Sequence, residues 1–377
     1  MVNSNNKLRV LQGIRQGKVG GGENMLLNIV EHINKEEFEP VVLSFTDGPM
    51  VDKIKEMNIP VHVIYTEKPF DFTVWKKVQQ LMVDEKINLI HAHGTRACSN
   101  LFKPAKKLNL PLIYTCHGWS FHPDQNFINK NLRIQAEKFL TRKATLNVCG
   151  AFSNRDTGKA LFGNEFNPAI IQNTIDTKRF NPEGSFKNLR KEFNIPENVV
   201  LFASIARFTV QKQPLNLLKA FAEAAKKADN IMLLMVGDGE LKKEGILLIE
   251  KLGIKDKVVL TSFRQDVPDV LANIDVFLLP SLWEVLPLAL MEAMAMRKAV
   301  VVSRVDGTTE IVENNINGLL IENEAMVPNL ARAIISLANS KELRTHLGEE
   351  AYNSMHKHHS VREMVKAYED LYLQFKK

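Results

Sequence analysis

Hydrophobic and polar positions alternate between two periods along nearly the whole chain. Short apolar runs rich in Val, Ile and Leu predict strands at 8-LRVLQG-13, 40-PVVLSF-45, 60-PVHVI-64, 88-NLIHA-92, 111-PLIYT-115 and 145-TLNVC-149. Between them, the spacing of apolar residues at three and four positions predicts helices over 23–33, 72–85 and 127–144. A polar segment, 172–198, holds Pro182, Gly184 and Pro196 and reads as a connection carrying one short helix. A second series follows, with strands predicted at 199–206, 231–237, 257–261, 274–280, 298–303 and 318–322, and helices at 214–228 and 241–253. Strand and helix in strict turn imply a parallel sheet covered on both faces, and buried parallel strands read as continuous apolar runs. The two halves repeat this alternation without repeating residues. The expected organisation is α/β, with two doubly wound, Rossmann-like domains at 1–180 and 181–358. A last amphipathic helix lies within 359–377, with Met364, Val365, Tyr368, Leu371, Tyr372 and Phe375 on one face.

Composition adds three points. A chain of 377 residues suits two cores rather than one. Its start, 1-MVNSNNKLRV-10, has no apolar h-region and reads as no signal peptide, and no apolar run reaches the length of a spanning helix. Three cysteines (Cys98, Cys116 and Cys149) without a C-x-x-C pair fit reduced thiols and a cytoplasmic setting, with Cys116 a small core hydrophobe. The net charge of +6 is uneven: residues 1–180 hold 24 Lys+Arg against 17 Asp+Glu, and the rest hold 25 against 26. From Arg96 to Lys143 there are nine basic residues and two acidic ones, so 96–143 is expected to meet an anionic membrane surface. No nucleic-acid recognition motif accompanies this charge, and no nucleic-acid partner is expected.

The stretch 278-LLPSLWEVLPLALMEAMAMRKAVVVS-303 concentrates the candidate chemistry. It reads as a strand, a loop through Glu284, and a helix opened by Pro287, whose first-turn N–H groups form an anion site. Glu284 and Glu292 bracket that site and could each hold sugar hydroxyls. Arg207 and Lys212, in 205-IARFTVQKQP-214, follow the first strand of the second half. Two cations converging there repel unless an anion such as a diphosphate lies between them. Other motifs also follow strands, at the edge where open parallel sheets bind ligands. They are the glycine-rich 17-GKVGGGEN-24, His117 in 113-IYTCHGWSF-121, 236-VGDGE-240, and Phe263 and Arg264. His91 and His93 in 91-HAHGTRA-97 suggest an acceptor-facing loop, since no third ligand of matching context supports a metal.

The wording of 280-PSLWE-284 and 287-PLALMEAMA-295, with E-x7-E, resembles the retaining glycosyltransferases of family 4. The R-x4-K pair, the glycine-rich loop and 305-VDGTTEIV-312 match in the same order. The resemblance implies the GT-B fold: two domains facing a central cleft, with the last helix returning to the first domain. It implies transfer of a hexose from a nucleotide diphosphate sugar, with UDP favoured over GDP, to an acceptor hydroxyl with retained configuration. It further implies catalytic roles for His117, Arg207, Lys212 and Glu284. Donor contacts would come from Gly21, Gly22, Gly237, Phe263, Arg264, Leu286, Pro287, Leu288 and Glu292, with Glu292 on the ribose. Gly307 and Thr308 would line the nucleotide side, and no metal or other cofactor is implied. Together with the basic patch, this suggests a lipid-linked saccharide acceptor in surface polysaccharide assembly, at the inner face of the membrane. Three positions depart from the pattern: Val285 and Gln213 stand where the family has glycine, and 172-QNTID-176 replaces H-N-G-I-D. A β-branched Val285 makes positive φ unlikely, so a variant loop is expected. Two alternatives are a GT-B nucleotide-sugar epimerase and a basic nucleic-acid-binding protein.

Overall fold

The computed structural model describes residues 7–18, 20–122, 125–358 and 360–376; Val19 of the glycine-rich loop and residues 1–6 lie outside them. The chain divides into two compact units, Met1–Asn173 with Val361–Lys377, and Thr174–Ser360.

The first unit runs β1 (Leu8–Ile14), α1 (Gly21–His32), β2 (Phe38–Ser44), α2 (Pro49–Glu56), β3 (Val61–Val63), α3 (Phe72–Asp84) and β4 (Leu89–His93). It continues with α4 (Thr95–Lys107), β5 (Leu112–Cys116), α5 (Phe127–Lys143), β6 (Leu146–Cys149), α6 (Phe152–Phe162) and β7 (Ala169–Ile170). All strands pair in parallel, in the order β3-β2-β1-β4-β5-β6-β7. The order reverses between β1 and β4, and the crevice beyond the carboxyl ends of that pair is where such sheets receive ligands.

The second unit repeats the plan. It holds α7 (Leu189–Glu192), β8 (Val200–Ile205), α8 (Pro214–Ala225), β9 (Ile231–Val236), α9 (Lys242–Leu252), β10 (Val258–Thr261) and α10 (Val267–Asn273). Then come β11 (Val276–Leu279), α11 (Leu288–Ala295), β12 (Ala299–Ser303), α12 (Asp306–Thr309), β13 (Leu319–Ile321), α13 (Met326–Asn339) and α14 (Lys341–His358). The strand order is β10-β9-β8-β11-β12-β13, again parallel, with the reversal between β8 and β11. Apolar residues on both faces of this sheet form two separate cores, as sheets covered on both sides require.

The last helix, α15 (Val361–Leu373), belongs to the first unit. Met364, Val365, Tyr368 and Tyr372 are buried against Leu8, Val10, Leu89 and Ile113 of the sheet and Met25 and Ile29 of α1. Their three- and four-residue spacing puts all four on one stripe.

Several expectations change. α1 starts at Gly21 and takes in two glycines read as loop. Pro287 is the extended cap (φ −75°, ψ 109°) of a helix that starts at Leu288, and not its first helical residue. His91 and His93 are not in a loop: both are buried in β4. α4 went unread because Pro104 sits inside it, and proline ordinarily breaks a helix interior. Cys98, Cys116 and Cys149 are free and buried. Among the described residues no helix is long and apolar enough to cross a membrane.

Candidate active site

The loops leaving β8 and β11, the reversal pair of the second sheet, carry the densest chemistry. Arg207 follows β8; it is exposed, and its guanidinium has no hydrogen bond or ion pair among the described residues. Lys212 ends a 3₁₀ turn at Val210–Lys212 and is ion-paired with Glu284 from the loop after β11. The anion foreseen between Arg207 and Lys212 thus has a protein counterpart on the lysine side. The two loops are stitched further by Gln211, whose Nε2 donates to the Trp283 carbonyl (2.8 Å) and whose carbonyl accepts from Leu282 N–H (2.8 Å). Gln213 next to Lys212 is left-handed (φ 54°, ψ 44°), the conformation that the expected glycine would adopt freely. For a non-glycine residue it costs about 1–2 kcal/mol. Gln213 Nε2 donates to the Val210 carbonyl (2.7 Å), which offsets part of that cost.

Val285 keeps a negative φ, as its branching demands. Gly307 of α12 packs on that loop: a Cβ there would lie 1.7 Å from the Val285 carbonyl oxygen, and its N–H donates to the Glu284 carbonyl (3.3 Å). Gly307 is therefore a brace that sets the backbone of Glu284 and Val285. Thr308 does not line an open surface: it is buried, and its hydroxyl donates to the Ser303 carbonyl (2.5 Å).

Beyond the loop, Leu286 is buried in the core and Pro287 caps α11. The N–H groups of Leu288 and Ala289 have no acceptor among the described residues, as the geometry of a first helical turn dictates. One turn on, the carboxyl of the half-buried Glu292 has no hydrogen-bond donor among the described residues. Burial pushes its carboxyl up to about 7, with the Arg179 guanidinium opposing.

That shift has a measurable consequence. The folded-state value lies above the ordinary 4.5, so the native state holds the proton more tightly than the unfolded chain. Stability from this group is full below about pH 4.5 and is lost as the pH rises to about 7, amounting to about 3 kcal/mol. Glu292→Gln should therefore gain on the wild type by about that amount between pH 5 and 8 in chemical denaturation. A stability difference that stays constant across this range would refute the assignment.

Gly237 (φ 145°) and Gly239 (φ 157°) turn the chain after β9 against the Arg207 loop. A Cβ on Gly237 would lie 2.1 Å from the Ala206 carbonyl oxygen, and one on Gly239 would lie 2.4 Å from that of Phe208. Asp238 accepts from the Phe263 N–H (3.0 Å) and pairs with Lys242 (2.6 Å); the Lys242 hydrogen bond holds its carboxyl below the usual range. The Phe263 amide is thus taken, leaving its carbonyl and its exposed ring to meet a ligand. The Arg264 guanidinium is held by Asp266 (2.6 Å) and Glu192 (2.8 Å), so its side chain is committed to the fold.

In the first unit, the reversal pair β1 and β4 brings together the glycine-rich segment and three histidines. Gly22, in the first turn of α1, packs on His117; a Cβ there would sit 3.1 Å from the ring. Asn173 Nδ2 donates to the Gly21 carbonyl (3.3 Å) and ties the QNTID segment to that turn. Asp176 accepts from Lys178 and Arg179 N–H groups and shapes the turn that follows. His117 Nε2 meets His93 Nδ1 at 3.0 Å, the two ring planes within 11° of parallel. Burial, with Arg15 adding to it, pushes His117 down to about 4. Gln12 and Arg15 gave no signal in the sequence, and Tyr372 gave only its place on the apolar face of the last helix; the pairing of β1 with β4 and the return of α15 bring them to the histidines.

α5 inverts the usual arrangement. It exposes Phe127 (81%), Ile128 (70%) and Leu132 (64%) beside Arg133, Arg142 and Lys143, and buries Glu137. That carboxylate accepts from the Tyr114 hydroxyl (2.8 Å), the Thr95 hydroxyl (2.7 Å) and the Ser120 N–H (3.0 Å).

Two parallel-sheet α/β units, with an exposed arginine and an open helix end at one sheet's reversal and a histidine at the other's, define a glycosyltransferase of GT-B type. Two family models match in succession, Glycosyltransferase Family 4 over 19–179 and Glycosyl transferases group 1 over 185–354; the chain belongs to this glycosyltransferase family. It is 25% identical, over 99% of its length and 98% of the relative's, to the Escherichia coli UDP-Gal:alpha-D-GlcNAc-diphosphoundecaprenol alpha-1,3-galactosyltransferase. It is 25% identical to the Bacillus anthracis N-acetyl-alpha-D-glucosaminyl L-malate synthase, over 84% of this chain and 82% of the other. The crystal structure of Anabaena HepE in complex with UDP-glucose has the same fold, with a TM-score of 0.86, 23% identity and coverage of 97% and 99%.

Proposed function

We propose that this glycosyltransferase moves a hexose from a nucleotide diphosphate sugar, UDP before GDP, to a hydroxyl of a lipid-linked saccharide, retaining the anomeric configuration. The observation that carries this reading is Arg207, an exposed guanidinium on the loop after β8 with no partner among the described residues, in the unit whose α11 leaves open N–H groups. A leaving diphosphate supplies the missing anion for the guanidinium, Lys212 and the helix end together, a preorganised stabilisation of developing charge. No metal is needed for that neutralisation, so turnover persists in chelator. Glu284 then turns from Lys212 alone to the sugar hydroxyls, and Glu292 receives the ribose hydroxyls it lacks in the free protein. Attack on the face that the diphosphate leaves, with that phosphate taking the acceptor proton, accounts for retention. The names of the Escherichia coli relative and of the HepE complex support UDP and a diphospholipid acceptor.

The test is a thermal-shift panel with UDP, GDP, ADP and CMP, followed by mass detection of product from the matching nucleotide sugar and a lipid-linked acceptor. A converted sugar formed without acceptor would mean epimerisation, and no response to any nucleoside diphosphate would remove the reading. The exposed apolar and basic face of α5 supports work at an anionic membrane surface. Replacing Phe127, Ile128 and Leu132 by serine should release the protein from anionic vesicles in co-sedimentation by at least about tenfold, since each buried apolar side chain contributes about 1.5–3 kcal/mol. Undiminished binding by that variant would exclude α5 as the contact.

A further inference from the structure

The histidines of the first unit are joined to α15 by consecutive hydrogen bonds whose directions follow from the Gln12 amide, with its Nε2 toward Tyr372 and its Oε1 toward His93. Gln12 Nε2 donates to the Tyr372 hydroxyl (3.0 Å), so that hydroxyl gives its own proton to His91 Nδ1 (2.6 Å). His91 Nε2–H then donates to the Thr115 hydroxyl (2.7 Å). Gln12 Oε1 can only accept, and it takes the Nε2–H of His93 (2.8 Å). Burial, together with neighbouring histidines, pushes His91 and His93 well below the ordinary imidazole range, so each ring carries one proton. With its proton on Nε2, His93 offers Nδ1 as a lone pair, and His117 Nε2–H must be the donor across the 3.0 Å contact. His117 Nδ1 is then a lone pair without a partner among the described residues, on a ring that is only part-buried.

We infer that Gln12, His93 and Tyr372 are positioning residues that hold His117 as the neutral Nε2–H tautomer and so present its Nδ1 as a hydrogen-bond acceptor for a substrate hydroxyl. The wiring stands on these contacts and on burial keeping the rings neutral; the hydroxyl rests on the sugar-transfer reading above, with the catalytic role that the family resemblance implies for His117. Packing by itself would be served by apolar side chains, because buried polar groups cost stability unless satisfied. Here each is satisfied in one consistent direction, which fixes a ring nitrogen's role as well as its place. The contact from Gln12 spans 360 positions, so the last helix completes a site built by the first strand. The charged and titratable groups bearing on the pair are Arg15 after β1, His91 in β4, and Tyr368 and Tyr372 on α15. Glu369 acts on Tyr372, and Cys149 on Tyr368.

The test is proton–nitrogen correlation spectroscopy of the full chain labelled at histidine nitrogens, for the wild type and for Gln12→Glu and Tyr372→Phe. At neutral pH, His93 and His117 of the wild type should each show a protonated Nε2 and a bare Nδ1. In Gln12→Glu the carboxylate beside His93 should raise the apparent pKa of the histidine pair by about 1–3 pH units and carry the acidic limb of kcat with it. Tyr372→Phe should leave His117 in a mixture of tautomers. A bare Nε2 on wild-type His117, or variants that titrate and tautomerise as the wild type does, would overturn the inference. The wild-type spectrum needs neither a variant nor turnover, so it separates failure of this wiring from failure of the sugar-transfer reading.

Discussion

Replacing Arg207 by alanine should lower turnover about 10²–10³-fold, the usual loss for one preorganised donor to developing negative charge, while the melting temperature stays where it was. The stability half of the result follows from exposure and from the absence of any ion pair or hydrogen bond to the guanidinium among the described residues. Surface residues without such partners change stability little when truncated. The catalytic half follows from charge: a guanidinium grips a phosphate bidentately, and Lys212, the other cation of that loop, is a point charge already paired with Glu284. Steady-state kinetics beside a thermal melt checks both halves. Undiminished turnover would mean that the diphosphate is not held there, and a lowered melting temperature would mean that Arg207 is part of the fold after all.

Lys212→Ala should behave differently, losing turnover and about 3 kcal/mol of stability together. Lys212 and Glu284 keep only 16% and 7% of their side-chain surface, so deleting the ammonium leaves a nearly buried carboxylate uncompensated. Breaking such a pair from one side costs about 3–5 kcal/mol, whereas replacing both members is often close to neutral. Lys212→Met combined with Glu284→Gln should therefore regain stability to within about 1 kcal/mol of the wild type and regain no activity. Denaturant unfolding of the two single variants and the double variant measures the coupling directly. A Lys212→Ala protein as stable as the wild type would show that the pair contributes nothing to the fold. An active double variant would remove both residues from the chemistry.

The contrast between these two cations was invisible in R-x4-K. Spacing placed both after a strand and assigned both to one anion, but only the folding of the β11 loop onto the 3₁₀ turn decides that Lys212 meets Glu284 while the Arg207 guanidinium meets no partner among the described residues. The glycines divide in the same way. Gly237 and Gly239 were legible as glycines of a turn at a strand end and Gly307 as part of the nucleotide side, yet what each accommodates is a particular carbonyl from a loop distant in sequence. Val285 was foreseen to avoid positive φ, and it does. The left-handed Gln213 was noticed only as a missing glycine, because its strain appears when the backbone is placed.

Periodicity by itself determined the α/β class, the two alternating series, the apolar stripe of the last helix and the edge at which the motifs fall. Those are local properties, since a period of two or 3.6 residues is written into neighbouring side chains. Tertiary structure decided the strand order. With it came the reversal points, the burial of His91 and His93 inside β4, the outward turn of Phe127 and Ile128 on α5, and the meeting of Gln12 with Tyr372. Each of these depends on contacts between residues far apart in the chain. Their free energy comes from burial and from hydrogen-bond partners that no local stretch contains.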